Sequence, residues 1–197
     1  MAGKIDIETI KKLKELSGVG LTDAKNALVE AGGDFDKALE AMRKKGLTKA
    51  EKRGDRETRE GLIDSYVHDG RIGAIIEVNC ETSFVAKTDE FKDLAHKLAM
   101  QVASMAPLYV SEEDIPEVDK KAKMKELEAN FKGPEKMKEQ ILGGQMKKAF
   151  ADKVLMSQPY ILDDTKTVAD FIKDNIAKTG ENITVKQFKR IELGVTE

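Results

Sequence analysis

A β-hairpin signature in the middle of the chain is the sequence feature that most constrains the fold. Leu62–Val67 has strand character, and Arg71–Cys80 returns as RIGAIIEVNC, which is rich in β-branched residues. Asp69-Gly70 between them is a strong signal for a tight hairpin turn, because such turns need residues that tolerate positive φ. Segments with helical periodicity flank the hairpin, and strands and helices do not alternate regularly. The sequence therefore predicts an α+β fold rather than a doubly wound one.

Residues 5–46 have the pattern of a compact three-helix bundle. Three segments repeat apolar residues at helical spacing, and these residues are Ile7, Ile10, Leu13 and Leu16, then Ala24, Ala27, Leu28 and Ala31, then Phe35, Ala38, Leu39 and Met42. Thr22 or Asp23 is expected to cap the second helix and Asp34 the third, with Gly46 closing the third. A bundle of this size is close to the lower limit for independent folding.

A charged segment follows the bundle and suggests where the chain divides. Residues 48–60 (TKAEKRGDRETRE) contain almost no large apolar side chain, so they are interpreted as a linker that can extend the third helix. We therefore predict two domains. Residues 1–54 hold the bundle and the start of the linker, and residues 55–197 form an α+β core.

The rest of the chain is predicted to contain a β-hairpin and packed helices. Pro107 should end the helix after the hairpin, and Ser111–Asp114 resembles a capping sequence, although Pro116 favours a helix that begins there. The expected helices are about Asp89–Met105, Glu117–Asn130, Pro134–Met156 and Val168–Lys178, with a short extended piece at Pro159–Leu162 and a strand at Asn182–Leu193.

Charge and composition exclude several classes of function. The chain has 34 basic and 36 acidic residues, a net charge of −2, and no Trp, so neither a basic nucleic-acid coat nor a base-stacking platform is expected. No stretch approaches the roughly 18 apolar residues of a membrane helix. The opening MAGKIDIETIKKLKEL lacks the apolar run of a signal peptide, which indicates a cytoplasmic protein.

The sequence also lacks a recognisable catalytic or metal site. It has no phosphate-binding glycine loop, and one cysteine with two histidines cannot form a zinc cluster. His68 and His96 are interpreted as solvated side chains rather than bases. Cys80 ends an apolar strand and is interpreted as a buried, inert thiol rather than a nucleophile. We therefore expect neither a cofactor nor a bound metal.

Two short segments place apolar side chains where a partner could use them. Phe84 and Val85 lie in a short connection between the second strand and the following helix. They either plug the end of the core, or Phe84 projects as a wedge into a partner. Val19 and Leu21 lie at a bend of the bundle, and they either dock a partner or fold back into the core. The residues alone leave both questions open.

Three motifs in order resemble the bacterial elongation factor Ts family over essentially the whole chain. Leu13–Lys25 resembles the family's ubiquitin-associated-like domain, as does Ala31–Asp34 with Ala38 and Met42-Arg43. Glu77–Ala86 (EVNCETSFVA) resembles its highly specific central motif, and Gly180–Ile183 with Arg190 resembles its carboxy-terminal signature. The chain has Ser83 where the family most often has aspartate. It also lacks the long coiled-coil insertion of larger members, so it is similar to the short form.

The resemblance implies a guanine-nucleotide exchange factor for elongation factor Tu, which acts by binding and is not an enzyme. It implies that the amino-terminal domain grips the partner's GTPase domain through Lys14, Leu21, Thr22 and Lys25. It implies that a second set dislocates the partner's magnesium ion and loosens its phosphates, with Phe84 inserted near the ion, and this set is Thr82, Ser83, Phe84 and Val85.

The expected partners follow from the same resemblance. Elongation factor Tu is expected to bind in its GDP-bound and nucleotide-free states, with no direct contact to nucleic acid or membrane. Short family members can pair through the core and bind two copies of elongation factor Tu in a 2:2 complex. Phe188–Arg190 contains no cysteine, so any dimer must be non-covalent. The alternative function is a protein-binding adaptor that uses the ubiquitin-associated-like domain.

Overall fold

A computed structural model of the chain describes residues 5–17, 20–51, 53–131, 133–134 and 137–195, without the side chains of Arg43 and residues 45–51. Gly18 and Val19 of the interhelical loop lie outside these residues, so the docking interpretation of Val19 has no structural counterpart here. The bounds of the helices and strands are α1 Ile7–Ser17, α2 Leu21–Glu30, α3 Phe35–Glu51, β1 Glu60–His68, β2 Ile72–Cys80, α4 Ser83–Ala86, α5 Asp89–Met105, α6 Glu117–Ala129, α7 Lys138–Phe150, β3 Pro159–Tyr160, β4 Asp163–Thr167, α8 Val168–Thr179 and β5 Ile183–Glu192. This mixture of helices and strands confirms the α+β prediction.

Helices α1, α2 and α3 pack around one apolar cluster. Its buried members come from all three helices and are Ile10, Leu13, Ala24, Ala27, Leu28, Ala38 and Met42. Asp34 caps α3 as predicted, because its Oδ1 accepts a 3.1 Å hydrogen bond from the Lys37 N–H. Gly32 and Gly33 both adopt positive φ between α2 and α3, so the chain reverses there without the strain that a Cβ would add.

Two predicted helix ends in the bundle are wrong. Neither Thr22 nor Asp23 caps α2, because the helix begins earlier, at Leu21, after Gly20 in an extended conformation (φ −64°, ψ 153°). Gly46 does not close α3, which continues to Glu51. A glycine inside a helix costs only about 1 kcal/mol, and the surrounding Lys, Leu and Ala residues are good helix formers. The interpretation that the charged segment extends the third helix is therefore confirmed up to Glu51.

The predicted hairpin is confirmed. β1 and β2 join through Asp69 and Gly70, whose φ values of 48° and 65° are those of a tight primed turn. β5 completes a three-stranded sheet in which β2 is the central strand. Along β2 the buried and more exposed positions alternate, as expected for a strand with one face in the core.

The long helix α5 has the predicted bounds and buries one face. Thr88 caps it, because its Oγ1 accepts the Phe91 N–H at 3.2 Å. The fully buried residues of this face recur at helical spacing and are Phe91, Leu94, Ala95, Leu98, Ala99 and Val102. The following Ala106 has a positive φ of 45°, so the helix ends at Met105, two residues before Pro107.

The helix predicted over Pro134–Met156 is too long at both ends. α7 covers only Lys138–Phe150, and two short 3₁₀ turns follow at Ala151–Lys153 and Leu155–Ser157. Tertiary hydrogen bonds explain the early stop, because the backbone N–H of Leu155 donates to the Tyr109 carbonyl at 2.9 Å. Helical geometry beyond Phe150 would lose this pairing with a neighbouring segment.

One strand was missed. The extended piece predicted at Pro159–Leu162 appears as β3, and it pairs antiparallel with β4. The sequence of β4 is DDTKT, which has no apolar alternation to reveal it. The helix predicted at Val168–Lys178 and the strand predicted at Asn182–Leu193 are confirmed as α8 and β5, with ends that differ by at most one residue.

The chain packs into two compact units. The first contains the described residues of Met1–Leu62, Val78–Leu94 and Asp170–Thr184, and the second contains those of Ile63–Glu77, Ala95–Ala169 and Val185–Glu197. The division into domains 1–54 and 55–197 remains a prediction. The central motif, the carboxy-terminal signature and the amino-terminal bundle all contribute residues to the first unit.

Candidate functional site

The central motif folds into a single helical turn, α4, directly after β2. Thr82 is its N-cap, with an extended backbone and an Oγ1 that accepts the Val85 N–H at 3.4 Å. Val85 and Ala86 are buried, at 7% exposure each, so they fix one side of the turn in the apolar interior. The short connection that the sequence places between β2 and α5 is therefore a helical turn around Phe84.

Phe84 is the residue that this turn presents to solvent. Its exposure is 80%, the highest among the large apolar side chains of the described residues. The interpretation of Phe84 as a core plug is therefore wrong, whereas the same interpretation is correct for Val85. Ser83 is exposed beside Phe84. An exposed aromatic ring on a turn anchored by buried neighbours is suited to insertion into another molecule.

Glu181 holds the start of this turn from a distant part of the chain. The Thr82 backbone N–H donates to one carboxylate oxygen of Glu181 at 3.0 Å, and the Thr82 hydroxyl donates to the other at 2.6 Å. Hydrogen bonds to a charged acceptor are the stronger class in proteins. Thr82, a member of the predicted magnesium-dislocating set, is exposed, yet its backbone N–H and its hydroxyl both donate to a carboxylate of its own chain.

A second set of contacts involves Glu81, which precedes Thr82, and Asn182, which follows Glu181. The Asn182 backbone N–H donates to Glu81 Oε1 at 2.6 Å, and Arg56 Nη1 lies 3.4 Å from Glu81 Oε2. The buried Asn182 side chain donates to the carbonyl oxygens of Gly54 and Arg56 at 3.1 and 2.7 Å. Three segments remote in sequence therefore converge behind α4. Sequence reasoning gave Glu181 and Asn182 no role, although both lie in the motif used to recognise the family.

Cys80 lies beside the same turn and is fully buried, as predicted. Its Sγ donates a weak hydrogen bond to the Thr82 carbonyl at 3.2 Å. Burial raises the pKa of the Cys80 thiol, and the negative charge of Glu181 raises it further. A neutral, buried thiol packs as a small apolar group and is a poor nucleophile.

The second predicted contact set lies on α1 and at the start of α2. Lys14, Leu21, Thr22 and Lys25 are all exposed. Leu21 is 51% exposed and is not part of the bundle's buried cluster, so the interpretation that it folds back into the core is wrong. Leu21, Thr22 and Lys25 line one open groove together with Ile5 and Ile7, whereas Lys14 does not line it.

The described residues contain neither a cluster of metal ligands nor a helix that could span a membrane. Within the described ranges, no group of three or more His, Cys, Asp or Glu side chains is arranged to hold a metal ion. None of the described helices is long and apolar enough to cross a lipid bilayer. The His68 and His96 side chains are about half exposed, in agreement with their interpretation as solvated groups.

Comparisons with known proteins give one consistent result. A family model described as "Elongation factor TS" matches residues 10–195. The elongation factor Ts of Thermotoga petrophila is 52% identical over 194 residues, which cover 97% of each chain. The elongation factor Ts of Moorella thermoacetica is 50% identical over 94% of this chain and 93% of its own length. That of Coprothermobacter proteolyticus is 43% identical over 97% of this chain and 99% of its own.

Proposed function

We propose, because the chain belongs to the elongation factor Ts family, that it binds elongation factor Tu in the GDP-bound state and promotes exchange of GDP for GTP. The chain acts as a binding protein without chemistry of its own, in the cytoplasm, where translation takes place. The observation that carries the proposal is Phe84, an exposed aromatic ring on a turn that its own core anchors.

Phe84 supplies the wedge in this proposal. A magnesium ion bound with GDP would neutralise part of the negative charge of the diphosphate and so strengthen its binding. An aromatic ring inserted beside that site displaces the groups that hold the ion, and GDP then binds more weakly. Ser83 is exposed beside Phe84, Val85 is buried, and the exposed Thr82 donates its hydroxyl to Glu181. In this proposal Ser83 and Phe84 meet the partner, while Thr82 and Val85 support the turn.

Exchange by this route requires the factor to bind empty elongation factor Tu more tightly than the GDP complex. The coupling is reciprocal, so nucleotide also expels the factor. A tenfold weakening of GDP corresponds to about 1.4 kcal/mol of differential binding. The exposed Lys14, Leu21, Thr22 and Lys25 supply the grip that both states share. In this proposal residues 1–54 are the ubiquitin-associated-like domain, and a non-covalent homodimer carries two copies of elongation factor Tu.

The test is the release of labelled GDP from elongation factor Tu with and without the full chain. We expect a concentration-dependent acceleration that requires no nucleotide bound to the chain itself. An unchanged release rate would refute the exchange function. Binding to elongation factor Tu without faster release would instead support the adaptor alternative.

Phe84→Ala sharpens this test. The variant should reduce stimulated GDP release at least tenfold, because it removes the wedge and with it about 1.4 kcal/mol or more of differential binding. Ser83→Ala is the matched change beside it and should cost less, since serine offers only a neutral hydroxyl. Ser83→Asp should be tolerated, because acidic residues are favourable in the first turn of a helix. Normal exchange by Phe84→Ala would contradict the wedge.

A further inference from the structure

The turn that carries Phe84 is too short to hold itself. α4 has four residues, and helices below about 12 residues are marginal in water without tertiary support. Buried Val85 and Ala86 fix one side of it. The N-terminal side depends on Thr82, the residue that links β2 to the turn. The orientation of Phe84 therefore depends on what fixes Thr82.

Glu181 fixes both polar groups of Thr82 with one carboxylate. The Thr82 N–H is a helix-start donor without an acceptor inside the helix, and Glu181 accepts it at 3.0 Å. The Thr82 hydroxyl has a single proton, which points to Glu181 at 2.6 Å. Its lone pairs are then left to accept the Val85 N–H at 3.4 Å. The Glu181 carboxylate thereby fixes the orientation of the Thr82 hydroxyl, which caps α4.

The neighbouring contact reinforces this arrangement. The Glu81 carboxylate accepts the Asn182 N–H at 2.6 Å, and the Glu181 carboxylate accepts the Thr82 hydroxyl. Each of the two dipeptides, Glu81-Thr82 and Glu181-Asn182, therefore supplies one carboxylate acceptor to the other. Two crossed contacts between two dipeptides restrain both translation and rotation of the start of α4. A single contact would restrain the start of the turn less.

We propose that Glu181 is a positioning residue for exchange, which acts through Thr82 to hold Phe84 in the orientation that elongation factor Tu meets. This inference rests on the proposed function and deepens it. In this proposal Glu181 acts through Thr82 rather than through the partner, and Thr82 serves the chain's own architecture rather than the partner's magnesium site. Loss of the carboxylate leaves Phe84 present but misdirected.

The test is a double-mutant cycle in the full chain, read out as stimulated release of labelled GDP from elongation factor Tu. Glu181→Gln leaves one acceptor oxygen for two donors. It should lower kcat for release about tenfold, the scale of one charge-assisted hydrogen bond, with KM nearly unchanged. In a Phe84→Ala background the same substitution should have no further effect. Glu126→Gln, the same change at an ion-paired carboxylate of α6, should leave release unchanged.

Two further variants separate positioning from folding. Thr82→Val should lose exchange as Glu181→Gln does, and Thr82→Ser, which keeps the hydroxyl, should restore it. Circular dichroism melting should give Glu181→Gln the same shift with Phe84 present or absent, since stability does not depend on the exposed ring.

The failures can be told apart. A wild-type chain that does not accelerate GDP release would refute the proposed function. If the wild type is active and Phe84→Ala is impaired, normal exchange by Glu181→Gln would overturn the positioning role alone. An equal loss in the Phe84→Ala background, or a rise in KM alone, would also overturn it, because Glu181 would then act independently of Phe84.

Discussion

The amino-terminal bundle and the α4 turn both present candidate contact residues, but different forces hold them. The bundle is stabilised by an apolar cluster whose buried members all lie between residues 10 and 42. The α4 turn is held at its start by polar contacts between residues 81–82 and residues 181–182. The first arrangement uses neighbours along the chain, and the second uses residues about 100 positions apart.

The difference teaches how each region responds to substitution. Apolar burial is non-directional, so the bundle loses stability in proportion to the volume removed from its cluster. Hydrogen bonds to a carboxylate are directional, so the turn loses its orientation when a single acceptor is lost. We therefore expect damage to the bundle to appear mainly as lost stability, and damage to the turn mainly as lost exchange.

The largest expected effect contrasts two truncations to alanine. Leu28 is fully buried in the bundle, so Leu28→Ala should cost about 2–5 kcal/mol of unfolding free energy. Phe84→Ala removes more atoms but should change this free energy by no more than about 0.5 kcal/mol, because the ring is 80% exposed. Urea unfolding measures the free energy of unfolding of both variants, and amide hydrogen exchange of α1–α3 reports the stability of the bundle. If Phe84→Ala were as destabilising as Leu28→Ala, the exposed ring would contribute to stability and the contrast between the two regions would be wrong.

A smaller effect concerns the bundle's exposed surface. Lys25 lines the groove at the start of α2. Lys25→Ala should raise the KM for elongation factor Tu about threefold at low salt, the scale of one exposed charge pair, with kcat unchanged. At 0.5 M salt the difference should shrink, because ions screen exposed charges. Lys37→Ala, an exposed lysine on α3, is the control and should show neither change. A fall in kcat would assign Lys25 to the exchange step instead.

The smallest effect concerns the reactivity of Cys80, which tests whether the contacts around α4 are formed in solution. Burial raises the pKa of the Cys80 thiol above its ordinary value of 9.0, so its reaction with a disulfide reagent should be slow and should keep accelerating beyond pH 9. Glu181→Gln should speed the reaction slightly, since removal of the negative charge lowers the thiol pKa. The protonated thiol is the form that the fold favours. Its contribution to stability is therefore complete below the unfolded pKa and is lost as pH rises through the folded one. Rapid reaction at pH 7 would show that the site is open.

Sequence reasoning succeeded where short-range spacing determines structure. Asp69-Gly70 identified the hairpin, and the apolar repeat of α5 identified that helix with its correct bounds. Both signals lie within the segment that they describe. The same reasoning failed at the end of α7, because a hydrogen bond from Leu155 to Tyr109 decides where that helix stops. It also missed β4, whose polar sequence shows no alternation.

The candidate site was predicted only in part, for a related reason. The pattern singled out Phe84, but spacing alone could not decide between exposure and burial, which depend on the α4 geometry. The role of Glu181 was beyond reach, because no periodicity links it to Thr82, 99 residues earlier. The signature Gly180–Ile183 was recognised by resemblance, and only the folded chain shows what its glutamate contacts.

The anchoring of Gly54 and Arg56 by Asn182 has a consequence for how the protein is made. During synthesis the bundle can form once its own residues have emerged, because its stabilising cluster is complete by Met42. The Phe84 turn must wait for Glu181 and Asn182, which emerge on the order of ten seconds later at ordinary rates of synthesis. A nascent chain thus completes its bundle well before the α4 turn gains its distant contacts, and a chain that ends before Glu181 never gains them.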